Sequence, residues 1–221
     1  MHEPITSEIF QVGGPFLTSH DDAAVYLIFT GANAALVDAG CGIDPSRIID
    51  NIRSCGVMPE QIAYLLITHC HIDHIGGAGA VRQITKCRTV AHEHDAVYCE
   101  TGDDTVTAAK WYGKSVSPFT VDDKLSAPVE TIFLDEREIS AIHVPGHSPG
   151  SVVYLFESDG QRVLFAQDVH GPLHPVLQSD QADYIRSLHR IVDLEADILC
   201  EGHFGIYRGK DEVRRFVESF L

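Results

Sequence analysis

Residues 68–77 read Thr-His-Cys-His-Ile-Asp-His-Ile-Gly-Gly and place His69, His71, Asp73 and His74 within six positions, in the pattern H-x-H-x-D-H. Imidazole and carboxylate together are donors for zinc-like divalent ions, and so dense a set of them points to metal chemistry. The run follows an apolar stretch, Ile62 to Thr68, that reads as a buried strand, and it precedes Gly76-Gly77 and a segment expected to be helical over 76–85. A donor-rich loop at the end of a strand is where an α/β protein can build a metal site. Three further metal-capable residues follow singly: His147 in Val-Pro-Gly-His-Ser-Pro-Gly, Asp168 in Leu-Phe-Ala-Gln-Asp-Val, and His203 in Leu-Cys-Glu-Gly-His-Phe-Gly. Each ends a strand-like run, so strand ends meeting at one sheet edge would gather all seven.

The elements that must position them alternate in the first half. Segments 8–14, 23–30 and 34–40 are rich in Val, Ile, Phe and Tyr, are bounded by glycine and read as strands. Asp44-Pro45 is an N-cap followed by proline at the first helical position. A helix over 45–55 puts Ile48, Ile49 and Ile52 on one face and stops at Gly56. A short strand is expected at 87–92. Residues 93–130, with the only tryptophan (Trp111), Tyr112 and scattered Gly and Pro, break the rhythm and are expected to be helical and irregular, either a flap over the site or a surface excursion. Strands resume at 131–134, 138–146, 151–158 and 162–169, with Ser158-Asp159-Gly160 as a hairpin turn. A helix over 181–193 and a buried strand over 196–203 come next. In the closing helix Val213, Phe216, Val217 and Phe220 recur at helical spacing, a face that should dock on a sheet. Two β-rich halves, each followed by helices, suggest two packed sheets with helices outside, in one domain spanning 1–221.

Bulk properties narrow the function. Hydrophobic residues make up 44% of the 221 residues, which permits a sizeable core. No apolar run is long enough to span a bilayer, and the N-terminal segment resembles no export signal. The expected location is the cytoplasm, with no membrane partner. A net charge of −16 without any Lys/Arg run disfavours nucleic acid as a partner. The six cysteines include no C-x-x-C pair and read as reduced thiols. Cys70 between two candidate ligands would point away from them if the loop is extended there. No feature specifies an oligomeric state.

The order H-x-H-x-D-H, then Pro-Gly-His-Ser-Pro-Gly, then a strand-final Asp, then Gly-His near the C-terminus resembles the metallo-β-lactamase superfamily. The likeness covers essentially the whole chain, including an early Val37-Asp38-Ala39-Gly40. It implies an αββα sandwich of two mixed β-sheets with helices on the outer faces. It implies His69, His71 and His147 as ligands of one metal, Asp73, His74 and His203 as ligands of a second, and Asp168 as the bridge. Asp38 has the position of a carboxylate that supports a ligand, or of one that braces a turn. Two divalent ions about 3.5–4 Å apart can share a water and lower its pKa, so that a bridging hydroxide attacks a polarised carbonyl. Asp73 would orient that nucleophile or take its proton. Zinc is the first expectation, and iron or manganese also suits these donors. Ligating imidazoles must be neutral, so affinity should fall in acid.

Within the superfamily the closest resemblance is to the hydroxyacylglutathione-hydrolase-like branch. Departures from that branch broaden the expected substrate to a small thioester or lactone. Few basic residues (Arg208, Lys210, Arg214, Arg215) follow His203, Gln167 stands before Asp168 where glycine is usual, and Val169-His170 follows it. His71 argues against the flavin-linked branch, which carries glutamate there. A mononuclear Fe(II) persulfide dioxygenase using His69, His147 and Asp168 is the alternative from another reaction class, although the Gly-Cys-Gly-Arg that such enzymes carry is absent. A non-catalytic metabolite-binding protein is a third. His170, Tyr207 and Trp111 are candidate substrate contacts, with His20, His174 and Tyr112 as further neighbours or rim residues. His92, His94, His143 and His189 are left outside the metal site.

Overall fold

The computed structural model describes residues 2–221. Among these residues thirteen strands form two sheets. The first contains β1 (Glu3–Pro4), β2 (Ile9–Gly13), β3 (Val25–Phe29), β4 (Ala34–Val37), β5 (Ile62–Leu66), β6 (Arg88–His92) and β7 (Asp123–Leu125), in sequence order. The second contains β8 (Val129–Leu134), β9 (Arg137–His143), β10 (Val152–Ser158), β11 (Gln161–Phe165), β12 (Ile198–Cys200) and β13 (Ile206–Arg208), in the spatial order β13-β12-β11-β10-β9-β8. Both sheets are mixed: β4 to β7 run parallel, as do β11 and β12, and the remaining pairs are antiparallel. Six α-helices lie among the described residues: α1 (Pro45–Ser54), α2 (Ile72–Ile75), α3 (Ala78–Thr85), α4 (Glu93–Thr101), α5 (Gln181–Asp193) and α6 (Lys210–Glu218).

Alternation explains the layers. In β3, Tyr26 and Ile28 face Tyr154, Phe156 and Phe165 of the other sheet, while Val25 and Leu27 face Ile48, Ile52 and Val81 of α1 and α3. Leu164 and Leu199 turn to a third core with Leu188, Val213 and Val217 of α5 and α6. Both faces of the central strands are buried, so they read as continuous apolar runs. The helix signals behave as their chemistry dictates. Asp44 caps α1 by accepting from the Arg47 N–H, and Gly56 follows with φ +79°. The β10–β11 hairpin turns through Asp159 and Gly160, both at positive φ, the geometry of a type I′ turn.

The expected strands run too far towards the site. Segment 34–40 stops pairing at Val37, 162–169 at Phe165, and 138–146 at His143. Asp38 and Asp168 have φ +62° and +54°, and Gly146 has φ +137°. Left-handed residues leave the ladder and redirect the chain, and for Asp this conformation costs energy that the surroundings must offset. The helix expected over 76–85 begins at Ala78 as α3, and a separate turn, α2, precedes it across Gly76-Gly77, so Asp73 and His74 ride on a helical turn rather than a loop. The cause is a close approach: a Cβ on Gly77 would stand 2.2 Å from the Ala39 carbonyl oxygen, and one on Gly76 2.4 Å from that of Cys41. Gly77→Ala should therefore lower stability by about 1–3 kcal/mol, the usual cost of overpacking. Urea unfolding would show it as a reduced midpoint, and a wild-type midpoint would contradict the packing account. Residues 93–130 hold α4, a 3₁₀ turn at Ala109–Tyr112, β7 and the start of β8.

Candidate metal centre

The topology delivers the seven candidates to one edge. Parallel pairing sets Phe165 beside Cys200, so Asp168 and His203, three residues beyond each, emerge together. Parallel β4 and β5 align Val37 with Leu66, which brings Asp38 alongside the start of the 68–74 segment. The sheets are stitched at this edge by Val152 N–H to Thr68 O at 2.8 Å and Ala24 N–H to Gly202 O at 2.8 Å.

Two groups result. His147 Nε2 lies 3.2 Å from His69 Nε2 and 2.9 Å from His71 Nδ1, and Asp168 Oδ2 lies 3.1 Å from His147 Nε2 and 3.6 Å from His69 Nε2. On the other side, Asp168 Oδ1 is 3.3 Å from His74 Nε2 and 3.2 Å from His203 Nε2, while Asp73 Oδ2 is 3.6 Å and 3.2 Å from the same two nitrogens. Asp168 thus gives one oxygen to each group. Six of the seven are almost fully buried, and His203 is the open edge.

A cation fits this donor set. Nitrogen lone pairs converge on one another without enough protons to bond them all, and His74 Nε2 and Asp168 Oδ1 are buried with no hydrogen-bond partner. Such orphans are costly unless something positive sits between them. The outward nitrogens are held in place: His74 Nδ1 by Asp38 at 2.7 Å, His69 Nδ1 by Thr68 Oγ1 at 3.1 Å, and His147 Nδ1 by the Pro172 carbonyl at 3.0 Å. Asp38 also accepts from the Thr68 N–H and hydroxyl at 2.8 and 2.7 Å. It therefore does both things its position suggested: it supports a candidate ligand and it braces the strand exit.

Two buried carboxylates carry weight that sequence reading did not assign. Asp95, on the first turn of α4, accepts from Cys70 N–H at 2.9 Å, Ser148 hydroxyl at 2.6 Å and Gly150 N–H at 2.7 Å, and so ties the 69–74 segment to the loop bearing His147. Glu201 accepts from His203 and Phe204 N–H at 2.6 and 2.8 Å with one oxygen, and pairs with His170 Nδ1 at 2.8 Å through the other.

Electrostatics tell the same story without an ion. Burial opposes charge on His74, yet Asp168, Asp73 and Asp38 outweigh it and lift its pKa well above the ordinary value. His203 is likewise lifted to about 10 against burial by Asp168 and Asp73. Burial and neighbouring imidazoles hold His69 well down and His71 at about 3. In the metal-free protein, protons on His74 and His203 substitute for cations. A raised folded-state pKa gives stability that is complete below the ordinary 6.5 and lost as pH climbs through about 10. Chelator-treated protein should melt lower at the upper end of that range than at its lower end. Metal-loaded protein, its imidazoles already deprotonated, should lose less. Calorimetry checks this, and equal losses in the two forms would contradict it.

A cavity of about 230 Å³ is lined by His71, Asp73, His147, Asp168 and His203 together with Ala108, Trp111, Tyr112, His170, Pro172 and Leu177. Of the expected substrate contacts, Trp111 and His170 are therefore at the site, Trp111 edge-on to His174. Tyr207 is not: its ring stacks on Phe216 of α6 at 4.0 Å, on the other side of β13, and the expectation for it is corrected. His20 is exposed beside Asp21, away from the cavity lining. His92 and His143 stack on each other at 3.8 Å, apart from the seven. Cys70 is buried in the core between the first sheet and its helices. The Tyr112 hydroxyl is raised by burial and by Asp73 beside it.

This fold and this site define a metallohydrolase class, and the family model for the metallo-beta-lactamase superfamily matches residues 20–203: the chain belongs to that superfamily. Among characterised relatives it is similar to the acyl-coenzyme A thioesterase MBLAC2 of Gallus gallus, 25% identical over 100% of this chain and 86% of that protein. It is also similar to the hydroxyacylglutathione hydrolase of Anaeromyxobacter dehalogenans, 30% identical over 62% of this chain and 43% of that protein. Of solved structures, a B3 metallo-beta-lactamase with an active-site glutamic acid superposes with TM-score 0.82 at 22% identity, covering 98% of this chain and 86% of that one. BJP-1 of Bradyrhizobium japonicum gives 0.80 at 22%, covering 99% and 90%. At that identity the structural likeness concerns the αββα fold alone. Among the described residues no helix is long and apolar enough to cross a membrane.

Proposed function

We propose that the protein is a metal-dependent hydrolase of small thioesters that works with two divalent ions, zinc in the first instance, and that lactones, which need the same attack on an activated acyl carbon, are secondary substrates. The observation that carries this is the pair of donor groups joined by Asp168, with five of the seven residues lining one cavity. The printed activities of the relatives, an acyl-coenzyme A thioesterase and a hydroxyacylglutathione hydrolase, support the thioester.

His69, His71, His147 and Asp168 would hold one ion, and Asp73, His74, His203 and the second oxygen of Asp168 the other. Such ions supply Lewis acidity towards a carbonyl and towards water. The chain's own residues do the rest. Asp73 lines the cavity, orients the attacking water and takes up its proton. Water adds to the acyl carbon, the carbon–sulfur bond breaks, and the products are a carboxylate and a thiol. With Nδ1 fixed by Glu201, His170 is left Nε2 for a contact with substrate. Trp111, Tyr112 and Leu177 form the apolar wall, so the 3₁₀ turn is the part of 93–130 that acts as a flap. A panel of acyl-coenzyme A, acyl-glutathione and N-acetylcysteamine thioesters, with lactones alongside, tests the reading. Thioester turnover that disappears on chelation and returns with zinc is expected. No turnover of any member, or turnover indifferent to chelation, would overturn it.

A further inference from the structure

A second cavity, of about 370 Å³, adjoins the first at His203, which lines both. Its floor is built of small residues, Ala24 and Gly202, whose backbones bond at 2.8 Å across the two sheets. Its walls combine the apolar Pro15, Phe16 (98% exposed), Phe204 (59% exposed) and Ile206 with the polar Glu3, Gln11 and Arg208. Two exposed aromatic side chains along one groove that adjoins the site at His203 make that groove a candidate binding surface. The backbone that carries Phe16 is held in place. It tips a turn closed by Leu17 and Thr18 N–H to Gly14 O at 3.0 and 2.9 Å, and Thr18 is bonded to the buried Asp22, which accepts from Cys41 N–H. Phe204 is fixed by its N–H to Glu201 and by its ring edge-on to His170 at 4.7 Å.

We infer that this groove binds the acyl chain of the substrate, and that Phe16 and Phe204 set the preference for chain length. The inference rests on the thioester reading above. Common thiol carriers bear phosphates or carboxylates. This groove offers them no net positive wall, because Arg208 is accompanied by Glu3 and spends two guanidinium N–H groups on the Ile5 carbonyl, in a chain of net charge −16. The acyl chain is the uncharged apolar part of a thioester, and a groove that meets the site at His203 can take it while the carbonyl lies among the donors.

N-acetylcysteamine thioesters of acetate and octanoate, which share one uncharged thiol, test this with the zinc-loaded protein. Wild type should prefer octanoyl over acetyl in kcat/KM by roughly tenfold or more, since each buried methylene adds to binding. Phe16→Ala should cut that ratio severalfold, and Phe16→Ala with Phe204→Ala should bring it near one. The exposure of Phe16 makes loss of folding no explanation for the single variant. Phe133→Ala, at an exposed position on β8, should keep the wild-type ratio. Calorimetric titration with sodium octanoate against sodium acetate reads the same preference without turnover. A Phe16-dependent octanoate preference in a protein that hydrolyses no thioester would uphold the groove and sink the hydrolase reading. Thioester turnover with a ratio indifferent to Phe16 and Phe204, or no octanoyl preference in wild type, would overturn the groove and leave the hydrolase reading standing.

Discussion

Asp168→Ala should cut metal retention and turnover together. Asp168 is the residue that presents an oxygen to both donor groups, with His69 and His147 on one side and His74 and His203 on the other. Its removal leaves imidazoles facing one another with Asp73 as the one remaining carboxylate among the seven candidates. Neither ion would keep its full donor set, and the charge that opposes two buried cations would be halved. The expected loss in kcat/KM is roughly a thousandfold or more, at or above the upper range for deleting one group that acts on developing charge. Elemental analysis of the variant should find less than half the wild-type metal. A variant that keeps its full metal complement and works within tenfold of wild type would show that the two groups do not depend on a shared bridge.

Asp95→Ala should be the most damaging change away from the donor atoms. It would leave two buried N–H groups, on Cys70 and Gly150, without an acceptor, and the Ser148 hydroxyl with only Ser151 Oγ, 2.8 Å away. Each orphaned group costs about 1–3 kcal/mol, so the sum is on the order of 3 kcal/mol or more. For a chain of this size the melting temperature should fall by on the order of 10 °C. Because the same carboxylate joins the segment bearing His69, His71, Asp73 and His74 to the loop bearing His147, zinc affinity should weaken by about 10- to 100-fold as well. Thermal melts and competition with a chromogenic chelator measure the two effects. A variant with lowered stability and unchanged zinc affinity would reduce Asp95 to a packing residue.

The convergence of the candidate donors was legible in the sequence because each follows a strand-like run, where apolar periodicity stops abruptly at His, Asp and Gly. The two-sheet sandwich followed from two β-rich halves, each followed by helices. What escaped depends on tertiary contact. An acidic residue in the first turn of a helix, such as Asp95, reads as a partner of the helix dipole, and nothing local says that it is buried. Glu201 is hidden for the same reason. The break at Gly76-Gly77 is caused by the carbonyls of Ala39 and Cys41, more than thirty residues away in sequence. Tyr207 was misplaced by counting residues from His203. It lies in β13, a strand too short to show alternation, in which Ile206 and Arg208 line the groove and Tyr207 points to the opposite face under α6.

The central claim, that these seven side chains hold a pair of ions, is tested most directly by elemental analysis of freshly purified protein against chain concentration. Two zinc ions per chain, falling to none on chelation with loss of thioester turnover, is the predicted result. A single iron per chain, with oxygen uptake on glutathione persulfide, would contradict it.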